Sequence, residues 1–68
     1  MSRLETLRQL RTDLSAQVGR LEAAIAVAKE LQMPSATAKL NDAIFAAETA
    51  LYEVEQAVRE FLGDGQDV

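Results

Sequence analysis

The chain has 68 residues, 49% of them apolar, with seven basic and eleven acidic side chains and a net charge of −4. A domain this short builds one core worth about 3–5 kcal/mol at most unless a disulfide, a metal or a partner chain adds to it. Cysteine and histidine are both absent, which removes disulfide staples, the usual Cys/His zinc sites and thiol or imidazole catalysis, and leaves a partner chain as the remaining support.

The chain opens on Ser2-Arg3-Leu4-Glu5, the pattern of a capping box. The Ser2 hydroxyl can accept from the Glu5 amide while the Glu5 carboxylate reaches back. From there a seven-residue register runs through the first half. Leu4, Val18 and Ile25 occupy one position of it, and Leu7, Leu14, Leu21 and Ala28 the position three places later. These are the a and d sites of a coiled-coil seam. Arg11 and Gln32 interrupt the a row, and Leu10 and Leu31, one place earlier at g, widen the stripe. The long stem of Arg11 can lie along the seam with its charge in water. Gly19 falls on the outer side of this helix, at a cost of about 1 kcal/mol against alanine. It reads equally as a place of close approach or as an indifferent surface glycine.

The segment Met33-Pro34-Ser35-Ala36-Thr37 breaks the pattern. Proline lacks an amide hydrogen and disfavours helix at the residue before it. The expected layout is a first helix over 3–32, a turn over 33–35 and a second helix over 36–62. Ser35 is the expected N-cap, with Pro34 in the first helical turn as the alternative. Gly63 is expected to stop the second helix and leave a frayed tail over 63–68. So short a connection folds the two helices back antiparallel.

In the second half Ile44, Leu51 and Val58 take a, with Thr37 ahead of them, and Leu40, Ala47, Val54 and Phe61 take d. Beside them Ala36, Ala43, Ala50 and Ala57 form an unbroken row at g, and Leu62 sits at e. Alanine is the best helix former, but four at seven-residue spacing also let another helix approach closely. The fold class is therefore all-α, a two-helix antiparallel hairpin of coiled-coil type. Two rods touch along one line only, and the apolar stripe on each is wider than that line. Covering the remainder calls for a bundle, completed by a second copy or by a different protein.

Phe45 and Tyr52 lie seven residues apart at b, outside the seam, among polar neighbours Asn41, Glu48 and Glu55. An aromatic pair with a polar rim has the composition of an interface anchor. Three destinations are open to it: docking on another protein, burial in a homodimer, or cover over the hairpin's own edge. The expected partner-binding residues are Phe45, Tyr52, the row Ala36, Ala43, Ala50 and Ala57, and Leu62.

Charge is uneven. Residues 1–33 carry five basic and four acidic groups, net +1, and residues 34–68 carry two basic and seven acidic groups, net −5. The acidic half suits a basic partner, or a solvated face that keeps the protein in solution. The overall balance argues against a phosphate-backbone binder, and the polar faces lack the lysines of a membrane-surface helix. No glycine-rich phosphate loop, metal-ligand spacing or catalytic constellation is present, so no cofactor, no small-molecule substrate and no enzymatic activity are expected. No apolar run approaches a membrane span and no signal-peptide pattern is visible, so a cytoplasmic location is expected.

Three stretches, Arg3-Leu4-Glu5-Thr6-Leu7, "RLEAAIAVAKEL" and the Pro34, Leu40, Glu48 and Leu51 spacing around "AAETAL", resemble the small helical-hairpin co-chaperones of type III secretion needle subunits. The resemblance spans most of the chain. It departs after the turn, where Thr37-Ala38-Lys39 carries no aromatic. It implies a cytoplasmic hairpin that joins a helical-repeat chaperone and keeps a needle subunit from polymerising early. Two other classes fit the same exposed stripe. One is a small regulatory or phage-encoded inhibitor, working as a homodimer on a host protein such as a transcription regulator. The other is a homodimeric four-helix bundle that modulates RNA pairing, for which Arg3, Arg8, Arg11 and Arg20 would form the basic face.

Overall fold

The computed structural model describes the backbone of residues 2–66 and the side chains of residues 2–63. The chain is an all-α hairpin: α1 spans Arg3–Glu30, α2 spans Pro34–Gln66, and the two pack against each other. The molecule measures 55 × 18 × 12 Å, the dimensions of two ~10–12 Å helices lying side by side.

Local chemistry sets the ends of α1. The Ser2 hydroxyl accepts from the Glu5 amide at 3.1 Å, the forward half of the expected box. The Ser2 carbonyl then takes both the Thr6 amide and the Thr6 hydroxyl at 3.0 Å. At the other end α1 stops at Glu30, short of the expected 32. Gln32 turns left-handed with φ 56°, its amide donates to the Lys29 carbonyl at 3.1 Å, and the Met33 amide donates to the Ala28 carbonyl at 3.0 Å. That bond pair is a Schellman closure, usually built on glycine because a Cβ in this conformation costs about 1–2 kcal/mol. Pro34 explains the choice of a strained glutamine: the chain must leave the helix before it.

Two expectations at α2 are corrected. Ser35 is not the cap. Pro34 takes the first helical position, where its missing N–H is no loss. The Met33 carbonyl ahead of it accepts from both the Thr37 amide and the Thr37 hydroxyl at 2.9 Å. Nor does Gly63 end the helix, which continues to Gln66. A glycine terminates a helix by going left-handed, and no described glycine has a positive φ; in an interior it weakens the helix without breaking it. The expected tail thus overlaps α2 at 63–66, while residues 67–68 lie outside the described residues.

The seam follows the heptads but encloses little. Val58, Ala28 and Ile25 are buried, at 4%, 6% and 9% exposure. Leu4, Leu7, Leu14, Val18, Leu21, Leu40, Ile44, Leu51 and Val54 are only half-buried, and so is Arg11 where it interrupts the row. Phe61 departs from its expected seam place with 41% exposure. It stands opposite the first turn of α1, where the covering helix runs out. The accessible surface is 5160 Å², whereas a compact monomer of 7.4 kDa would show about 4,200 Å². The radius of gyration is 15.8 Å, against about 11 Å for a compact chain of this length.

Candidate protein-docking surface

The outward side of α2 carries exposed apolar side chains. From Ala43 to Tyr52 the sequence AIFAAETALY contains one charged residue, Glu48. A helix carries such a run round its whole circumference, so the seam can take only part of it. Ile44, Ala47 and Leu51 turn inward and are half-buried, while Ala43, Phe45, Ala46, Thr49, Ala50 and Tyr52 remain exposed. Phe45 is the most open large apolar side chain of the described residues at 73%, and Tyr52, at 58%, comes after only Leu31 in the bend. Edge cover of the hairpin's own seam is thereby excluded for the aromatic pair.

Hydrogen bonds give this face its character. The Thr49 hydroxyl donates back to the Phe45 carbonyl at 2.9 Å. Its polar group is thus spent on its own helix, and what it offers outward is a methyl. The Gln56 amide donates to the Tyr52 hydroxyl at 2.9 Å, one turn along, which ties the phenol to α2 while the side chain stays exposed. A side chain already held in place loses less freedom when a partner covers it.

The structure separates the expected binding residues and then rejoins them by another route. At roughly 100° per residue the aromatic pair and the alanine row lie on opposite sides of the seam. Within the row only Ala43 and Ala50 are exposed; Ala36 and Ala57 are half-covered by α1, as is Leu62 near the end of α2. The link runs round the back of α2 instead, along a shallow groove lined by Phe45, Ala46, Thr49, Ala50, Glu53 and Val54. Ala46 and Thr49 form its floor and were not singled out by heptad reasoning, which assigns c and f positions to solvent. The signal for them was the near absence of charge between residues 43 and 52.

Other concavities are weaker candidates. A cleft between the helices is lined by Arg11, Thr12, Ser15, Ala16, Leu51 and Glu55, a mixture of charged, hydroxyl and apolar side chains. At the hairpin bend Val27, Leu31 and Met33 are exposed beside a hollow bordered by Lys29, Gln32, Pro34, Thr37 and Ala38. Gly19 has open space around it, with nothing within 4 Å of where a Cβ would stand, so the hairpin itself makes no use of its small size. Among the described residues no group of three or more carboxylates is placed to hold a metal ion. No described helix is long and apolar enough to cross a membrane.

Geometry and side chains together define a helical hairpin whose α2 leaves an apolar outer stretch uncovered between Ala43 and Tyr52. No family model, curated protein or solved structure matches the chain.

Proposed function

We propose that the protein is a non-enzymatic, cytoplasmic adaptor that docks the outer face of α2 onto a helical partner protein, in the manner of a co-chaperone for type III secretion needle subunits. The observation that carries the reading is the exposure of Phe45 and Tyr52 on a stretch of α2 nearly free of charge. The co-chaperone assignment rests on the resemblance of "RLEAAIAVAKEL" and "AAETAL" to that class of hairpins, together with the hairpin architecture.

Co-expression with a needle subunit and a helical-repeat chaperone, followed by size-exclusion chromatography, tests the reading. The expected result is a ternary complex that Phe45→Ala with Tyr52→Ala disrupts, with binding weakened by at least about 2 kcal/mol. A chain that stays alone in the presence of both, or a complex indifferent to the double substitution, would refute it.

A further inference from the structure

The aromatic strip has acid on both sides. On the α2 surface, at roughly 100° per residue, Phe45 and Tyr52 lie within about 20° of one line. Glu48 and Glu55 fall some 40–80° to one side of it, and Asp42, Glu53 and Glu60 a similar angle to the other. The cations of this helix, Lys39 and Arg59, stand beyond the two ends of the Phe45–Tyr52 strip. Glu53 also borders the groove that runs from Phe45 to Val54.

Resting on the docking reading above, we propose that the occupant of this face is an amphipathic helix whose apolar stripe is flanked on both sides by lysine or arginine. The reasoning is one of fit. The edge of the strip is the i,i+4 ridge Phe45, Thr49, Glu53 of α2. Ridges of this kind pack into the grooves of another helix, and the short Thr49 side chain beside the aromatics lets its backbone come near. Seating the partner's apolar residues over the aromatics brings its flanking positions over the two lines of carboxylates. Basic residues there gain attraction and acidic ones meet like charge at an interface, where such placement suppresses the wrong partner. A second copy of this chain presenting the same face would set Glu48 and Glu53 against their own counterparts, so self-pairing through this surface is disfavoured by the same charges.

The test uses the full chain and two peptides of about 21 residues, three heptads with leucine at a and d. One peptide carries lysine and the other glutamate at the flanking e and g positions. Isothermal titration should show the lysine peptide binding at least about tenfold more tightly, with affinity falling as salt rises. Phe45→Ala with Tyr52→Ala, which leaves the charge intact, should weaken that binding at least about tenfold. Glu48→Lys with Glu53→Lys should transfer the preference to the glutamate peptide. Equal affinity for the two peptides overturns the basic-partner inference while leaving the docking reading standing. Lysine-peptide binding indifferent to the aromatic substitutions also overturns it, since attraction to net charge alone would then account for the signal. If neither peptide binds, sedimentation decides the rest. A dimer split by the aromatic substitutions makes a second copy the occupant, and a monomer removes both readings.

Discussion

α1 and α2 share one seam, yet what they turn away from it differs. α1 shows water Glu5, Arg8, Gln9, Asp13, Gln17 and Arg20, with Gln9 and Asp13 hydrogen-bonded to each other at 3.0 Å. α2 shows Ala43, Phe45, Ala46, Thr49, Ala50 and Tyr52. Over these turns the first is the polar outer face of an amphipathic helix, while elsewhere α1 leaves Leu10 and Val27 exposed. The second carries apolar surface that neither the seam nor water rewards. The difference teaches that the hairpin has a finished side and an unfinished one, and that function is to be sought on the latter.

That contrast can be attacked at several strengths. The largest effect is expected where the helices meet. Ile25→Ala removes one of the few enclosed side chains and should cost about 2 kcal/mol, the low end for a buried isoleucine because a slim hairpin can close over the gap. Urea unfolding followed by circular dichroism measures it, and a change below about 0.5 kcal/mol would mean the seam is not the seat of stability.

On the unfinished side the expectation is of a different kind. Phe45→Ala with Tyr52→Ala should leave the urea midpoint of the free chain nearly unmoved, within about 0.5 kcal/mol, since both side chains are already in water. The matching pair on the finished side, Arg8→Ala with Gln17→Ala, should alter neither stability nor partner affinity. If the α1 pair weakens the partner as much as the α2 pair does, the division between the two faces is wrong.

Smaller effects probe the backbone. Gly19→Ala places a methyl in open space within α1 and should raise stability by about 0.8–1 kcal/mol. A loss of partner binding in that variant would instead reveal a close contact on α1. Gln32→Gly relieves the left-handed closure of α1 and should stabilise by about 0.5–1 kcal/mol, the relief being partly offset by the greater freedom of glycine in the unfolded chain. Both are read from thermal or urea melts.

Much of the fold was legible in particular residues. The heptad rows through Leu7, Leu14 and Leu21 and through Ile44, Leu51 and Val58 already described two helices with a shared seam, and Pro34 marked the bend between them. The failures were at the ends. Gly63 looked like a stop because glycine is so often left-handed at a helix terminus, whereas here it continues the helix to Gln66. Gln32 carried no such signal and yet adopts the left-handed turn. Which residue bends is decided by where the chain must leave one helix to begin the next, and residue type only tilts that choice.

The candidate site was legible in its anchors and hidden in its layout. Phe45 and Tyr52 stood out as aromatics off the seam, and their exposure in the fold agrees with that position. The alanine row, at g, is the second expected partner-binding feature, on the other side of the seam. The structure instead half-covers Ala36, Ala57 and Leu62 and joins the rest through Ala46 and Thr49.

Periodicity by itself determined that this chain forms two helices, which positions meet between them, and that more apolar surface exists than one line of contact can hide. Burial follows pattern wherever the same spacing repeats, so those conclusions needed no coordinates. Tertiary structure alone decided where the surplus ends up. Two helices cover one arc of each other, and only their actual rotation about the seam leaves the back of α2 open between Phe45 and Ala50 while closing the two ends of the alanine row.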